Sequence, residues 1–99
     1  MREMRQKLNE TGRVRLVRNN VGFDPENRVR YGLGNGSPDL VGTLRGGRCF
    51  CIETKTPKGR LSADQQAWWR AATRWGVLGG VARSVGEAMQ LLEEAERAQ

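Results

Sequence analysis

Histidine is absent from this chain of 99 residues. That removes Ser-His-Asp chemistry, imidazole general bases, histidine-ligated metals and most zinc sites. Cysteine is scarce, with only Cys49 and Cys51. The two lie two positions apart in one extended segment, a poor geometry for a mutual disulfide. Two thiols are also too few for a structural zinc. They read as buried, reduced thiols, and the expected location is the cytoplasm. No apolar run approaches the ~18 residues of a membrane span. Met1–Glu10 lacks the apolar centre of a secretory signal. The length allows one modest core, so residues 1–99 are expected to form a single domain. Burial in so short a chain is limited, and a partner subunit would add to it.

Charge is abundant and uneven. The chain holds 17 Lys+Arg against 11 Asp+Glu, a net +6. Residues 1–86 carry 16 basic and 7 acidic side chains, and residues 87–99 carry one Arg and four Glu. A basic body with an acidic end implies a polyanionic partner such as nucleic acid. Arg supplies 14 of the 17 cations, which suits bidentate phosphate contacts.

The chain has no repeat, linker or low-complexity tract. Residues Arg2–Glu10 predict a short helix ended by Gly12. Arg13–Asn19 alternates as a strand, and Asn20–Asn27, with Asp24-Pro25-Glu26-Asn27, reads as a loop. Arg28–Leu33 is a second strand, Asp39–Leu44 a third and Arg48–Thr56 a fourth, the last two joined by a turn at Arg45-Gly46-Gly47. Ser62 caps a helix running to about Trp75, with Gln65 at the capping-box position and Gly76 as the stop. Val77–Arg83 is a buried strand. Ser84 and Glu87 make a second capping box for a helix to about Arg97. The order α-β-β-β-β-α-β-α implies an antiparallel meander followed by a parallel crossover. The fold class is a mixed α/β sheet flanked by helices.

Asp39, Glu53 and Lys55 stand where a buried sheet would not want charge. Side chains alternate along a strand, so Glu53 and Lys55 share a face about 6–7 Å apart. The hairpin at Arg45–Gly47 brings the start of the third strand to the end of the fourth, where Asp39 can meet Glu53. Two carboxylates beside a lysine suit a hard divalent cation, which relieves their repulsion. Such a cation can activate water and stabilise charge on a phosphate. The lysine can orient the water, help deprotonate it, or neutralise developing charge. A Glu-x-Lys triplet alone is more often a salt bridge. The combination of Pro38-Asp39, a gap of 14 positions with a glycine hairpin, Glu53-x-Lys55 and a capped helix is far more specific.

Gly36-Ser37-Pro38-Asp39-Leu40, Ile52-Glu53-Thr54-Lys55 and Gly59-Arg60-Leu61-Ser62-Ala63-Asp64-Gln65-Gln66-Ala67-Trp68 resemble the VRR-NUC branch of the PD-(D/E)XK nuclease superfamily. Arg18-Asn19-Asn20-Val21-Gly22 and Gly79-Gly80-Val81-Ala82-Arg83-Ser84 fit the same pattern. The resemblance spans roughly residues 13–92, with no extra domain, and looks like the stand-alone phage or prophage type. It implies a restriction-endonuclease-like fold and a DNA phosphodiesterase using Mg²⁺, with Mn²⁺ able to substitute. Asp39 and Glu53 would be metal ligands, Lys55 the catalytic lysine, and the backbone carbonyl of Thr54 a further ligand. Gln65 would face the active site, beside its structural role as a helix cap. Relatives place another glutamate on the first helix; Glu3 and Glu10 are the candidates here, Glu3 the better of the two.

Arg18, Asn20, Lys58 and Arg60 flank the acidic residues and are the candidate DNA contacts, with Arg48 weaker. No base-reading element is evident, so selection by DNA shape is expected over selection by sequence. Stand-alone relatives look like four-way-junction resolvases acting as symmetric dimers, so branched DNA and a homodimer are the expected partners, with no membrane. Trp68 and Trp75 are seven apart and expected in the core; Trp69 is expected at the interface. The competing readings are a nickase or flap or linear-DNA endonuclease of the same fold, and a catalytically silent DNA-binding module.

Overall fold

Met4 and Leu8 lie one turn apart on helix α1 (Arg2–Glu10), and both are buried. This computed structural model describes residues 1–99, with the side chain of Tyr31 excepted. Strands β1 (Val14–Arg18), β2 (Gly22–Asp24), β3 (Val29–Tyr31), β4 (Leu40–Leu44) and β5 (Cys49–Thr54) follow, then α2 (Ala63–Arg74), β6 (Leu78–Ala82) and α3 (Val85–Ala98). The main sheet has four strands in the order β1-β4-β5-β6. β4 runs antiparallel to both β1 and β5, and β6 is parallel to β5. The parallel pair needs a crossover, and α2 supplies it. This is the mixed α/β sheet flanked by helices that the element order predicts.

One face of the sheet holds the core. Leu16, Leu40, Leu44, Phe50, Ile52 and Ala82 pack there against Met4 and Leu8 of α1 and Ala88, Leu92 and Ala95 of α3. The α3 residues recur at helical spacing, which lays one stripe on the sheet. An ion pair from Arg13 to Glu96 ties the start of β1 to the acidic end of the chain. No α2 residue belongs to this core, which leaves α2 to the opposite face. That face is covered at β5, where Cys51 and Glu53 are buried, and open at β1, where Arg15 and Val17 are exposed.

Several expectations fail in instructive ways. The meander does not run through residues 28–33. Instead β1 pairs directly with β4, while β3 pairs with β2 in a separate two-stranded ribbon. Residues expected to form only a loop thus contribute β2. Pairing β1 with β4 aligns Val14 with Leu44 and Arg18 with Leu40, which sets Val14 and Leu16 on the core face. The ribbon offers no comparable apolar face: Phe23 and Val29 are exposed between arginines and glycines. Its turn is closed by Asp24, whose carboxylate accepts the Glu26 N–H at 3.0 Å.

Trp75 is the second failure. Expected in the core, it is 89% exposed. It is the C-cap of α2, and the chain turns away at Gly76 (φ +88°). The Val77 N–H then bonds back to the Ala72 carbonyl at 3.0 Å. Trp68 and Trp69 are both half-buried and meet edge to face, with ring centres 5.2 Å apart. The Trp69 indole N–H is buried without a partner among the described residues. The capping box at Ser62 and Gln65 forms as expected. At Ser84 the hydroxyl accepts the Glu87 N–H, but the Glu87 carboxylate accepts from Arg83 N–H instead of closing the box.

Candidate active site

The β4–β5 register pairs Leu40 with Ile52, so Asp39, one step earlier, falls opposite Glu53. Leu40 and Ile52 point into the core, and alternation turns the two carboxyls to the other face. Asp39 is held there by its neighbours. Its Oδ2 accepts the Thr54 backbone N–H at 2.9 Å and the Thr54 hydroxyl at 2.7 Å. Its carbonyl accepts the Asn19 N–H at 2.8 Å. The Asn19 side chain donates to the Ser37 hydroxyl and the Pro38 carbonyl and accepts from the Leu33 N–H. One asparagine therefore ties the end of β1, the Gly34–Asp39 loop and the ribbon together. Gly36 (φ +81°) lets that loop lie on the first turn of α2, where a Cβ would strike the Asp64 carbonyl.

Glu53 is 2% exposed, and its Oε2 has no hydrogen-bond partner among the described residues. A buried, unsatisfied carboxyl oxygen is costly unless something binds it. Burial, together with the hydrogen bond and charge of Asp39, pushes the Glu53 carboxyl up to about 8, against the opposing pull of Lys55. Asp39 moves the other way. Burial works to raise it, but hydrogen bonds from Glu53 and Thr54 and the charge of Lys55 hold it below the ordinary range. Near neutral pH the pair therefore holds one proton, on Glu53. Ionising both would set like charges side by side, a cost that a cation would relieve.

The residues fit a hard divalent ion. Asp39 and Glu53 offer oxygen donors, one oxygen is orphaned, and the chain has no imidazole. Among the described residues no cluster of three or more acidic, thiol or imidazole side chains forms. Protein side chains would thus fill only part of a coordination shell, as is usual for magnesium.

Arg18, Asn19, Asn20, Ser37 and Asp39 line one cleft, with Met1 of the N-terminus. Arg18 and Asn20 are thus brought to the acidic pair. Glu3 is exposed and is not on that lining; neither it nor Glu10 is placed beside Asp39. Lys58 and Arg60 line a different concavity, with Arg83. Gln65 Oε1 is engaged by the Ser62 N–H at 2.9 Å, its capping role. The Arg48 guanidinium bonds the Gly76 carbonyl, at the far end of α2.

A family model described as the VRR-NUC domain matches residues 4–86. The chain belongs to the VRR-NUC family. Neither a curated protein nor a solved structure gives a significant match. A VRR-NUC domain is a nuclease domain, which makes the chain a nuclease-like hydrolase with DNA as its partner. VRR-NUC nucleases generally depend on a divalent metal. Among the described residues no helix is long and apolar enough to cross a membrane.

Sequence reasoning did not single out Asn19, the Thr54 side chain or Arg83. Asn19 carried a visible signal, a polar residue where an alternating strand meets a glycine-containing loop. Thr54 lies between Glu53 and Lys55 and reads as a core-facing residue. Arg83 is a lone cation at a strand end, which no spacing marks.

Proposed function

We propose that this VRR-NUC protein is a Mg²⁺-dependent, structure-selective DNA endonuclease of the cytoplasm, accepting Mn²⁺ in its place. Its substrate is branched DNA, the four-way junction above all, cut by a homodimer. The observation that carries the reading is the buried Glu53 oxygen without a partner, beside an Asp39 already oriented by Thr54.

Asp39, Glu53 and the Thr54 carbonyl would hold the ion. When bound, it would lower the pKa of a water and stabilise charge on the phosphate. Asp39 is kept ionised by Glu53, Thr54 and Lys55, and held in place by Thr54. Glu53 would have to give up its proton to serve as a ligand. Lys55, two positions along from Glu53, brings a positive charge that acts on both carboxyls, suited to steer the attacking water and to offset charge on the phosphate. Arg18 and Asn20 line the way in and contact the DNA backbone, while Gln65 holds the first turn of α2 beside the Asp39 loop. Glu3, on the exposed first turn of α1, is the weakest member of the proposed set.

The homodimer reading draws on apolar surface without cover. Val17 on the open face of β1, and Val21, Phe23, Val29 and Leu33 around the ribbon, are all exposed. Surface of that kind is common at protein contacts. Trp69, half-buried in its own chain, is a poorer interface candidate than this patch.

The test is cleavage of a labelled four-way junction with and without Mg²⁺, beside flap and linear duplexes at equal salt. Mg²⁺-dependent, paired cuts in the junction, lost in Asp39→Ala, support the reading. Equal cutting of linear duplex would make the protein a general nickase. Binding without cutting would make it a silent module. Sedimentation of wild type and Phe23→Ser reads the dimer directly.

A further inference from the structure

The geometry points to a second phosphate-binding subsite, a cationic pocket on the β6 side of Lys55 in which Arg83, with Lys58 and Arg60, grips a non-scissile phosphodiester of the cut strand. This rests on the nuclease reading and deepens it. The pocket is a concavity of about 630 Å³ lined by Pro57, Lys58, Gly59, Arg60 and Arg83. All three of its charged residues are cations, and all three are exposed. The one ion pair among the described residues joins Arg13 to Glu96, so none of the three forms an ion pair, though Arg83 also borders a neighbouring concavity lined by Glu87 and Glu94. Glu87, the acid hydrogen-bonded at Arg83, is turned to the Arg83 backbone N–H at 2.7 Å, not to the guanidinium.

The pocket is built, not incidental. Arg83 Nη2 donates to the Gly59 carbonyl at 3.0 Å, which fixes the loop after β5 to the end of β6. A guanidinium has five N–H donors, so one such bond leaves a fork free for a phosphate. The β5–β6 register pairs Thr54 with Ala82, and the Lys55 N–H bonds the Ala82 carbonyl. Lys55 and Arg83 are therefore neighbours, one residue past the ends of adjacent strands. Gly59 packs against the Lys55 stem: a Cβ on it would lie 3.4 Å from Lys55 Cδ. Arg83 thus braces the loop that braces the catalytic lysine.

Sheet order places this pocket away from the Asp39 cleft. Asp39 precedes β4 and Arg83 follows β6, with β5 between them. Two strand spacings separate the two sides, roughly 10 Å. Phosphates on one strand lie farther apart than the axial rise of about 3.4 Å, because the backbone winds around the axis, so this distance is that of a phosphate one or two positions along. A strand whose scissile phosphate meets Asp39 and Glu53 thus brings a nearby phosphodiester over Lys58, Arg60 and Arg83.

The test uses the full chain carrying Asp39→Ala and measures junction binding over a salt series. Adding Arg83→Ala is expected to weaken binding about tenfold and to lower the salt slope by about 1. Arg83→Gln keeps an amide donor for the Gly59 carbonyl but no charge, and is expected to lose as much. A single methylphosphonate is then walked across about three nucleotides on each side of the cut. At one position it is expected to weaken the Arg83 protein and leave the Arg83→Ala protein unchanged. Equal affinity and slope for Arg83→Ala overturn the pocket while leaving the nuclease reading intact. Full rescue by Arg83→Gln also overturns it, and reduces Arg83 to a loop brace. Lys58→Ala alters an exposed side chain, so it serves if Arg83→Ala fails to fold; an unchanged salt slope there overturns the pocket. A wild-type chain that binds DNA with the expected Arg83 and Lys58 losses but never cuts sinks the nuclease reading alone.

Discussion

The two faces of β5 are built by opposite rules. Phe50 and Ile52 point into the core, fully buried against α1 and α3. Cys51 and Glu53 point the other way and are also buried, yet Glu53 brings a carboxyl with an unpartnered oxygen. On one face burial supplies stability; on the other it holds a group in a state that ligand binding would relieve. The same backbone thus fixes a rigid platform and a destabilised site, separated by one residue.

Substituting two adjacent residues of β5 separates its faces most clearly. Ile52→Ala should cost about 2–5 kcal/mol in chemical unfolding, while cleavage per folded molecule stays close to wild type. Glu53→Gln should do the reverse, lowering cleavage by about a hundredfold or more with no loss of stability at pH 5. A Glu53→Gln protein that cuts normally would remove Glu53 from the chemistry.

The pH dependence follows from the same face. In the fold Glu53 keeps its proton up to about 8, whereas its ordinary value is 4.5. Between those values the folded chain binds more protons than the unfolded one, so stability falls as pH rises. Asp39, held below its ordinary value, has the opposite sign and loses its contribution only in acid. Without metal, Tm should decline from pH 5 to pH 9 in wild type and decline less in Glu53→Gln. Metal should flatten the wild-type curve and bind more tightly as pH rises. Identical curves for the two proteins would show that Glu53 is not a buried acid.

Smaller effects sharpen the picture. Thr54→Val removes the hydroxyl donor to Asp39 and should cost about 1 kcal/mol, with the Asp39 carboxyl rising toward its ordinary value in an NMR titration. Trp75→Ser, at the exposed end of α2, should change stability by no more than about 0.5 kcal/mol. A larger loss would mean that Trp75 packs against something in solution.

Much of the platform was legible from local patterns. α1 spans Arg2–Glu10 as its apolar spacing predicts, and Ser62 and Ser84 begin α2 and α3 as their hydroxyls predict. The meeting of Asp39 with Glu53 was legible too, because a short glycine turn leaves few registers for β4 and β5. The ribbon was not. Pro25 and Gly22 mark its region as a loop, and β2 exists only because β3 leaves the main sheet to pair with it. Trp75 misled because spacing on a helix says which residues share a face, not that a residue at its very end still lies over the core; the stop at Gly76 itself was legible. The cationic pocket was legible only in part: Lys58 and Arg60 stand out next to the Glu-x-Lys strand, whereas Arg83, at the end of β6, joins them only through the crossover.

Residue order alone determined the helices with their caps, the sharing of one strand face by Glu53 and Lys55, and the basic charge that calls for a polyanion. These depend on contacts within a turn or across one hairpin, where few conformations compete. The tertiary structure decided which strands pair, that Glu53 lies buried with an orphaned oxygen beside an ionised Asp39, and that Arg83 stands next to Lys55. Those properties arise from segments distant in the chain that meet only when the sheet closes and water is excluded, and no local rule encodes them.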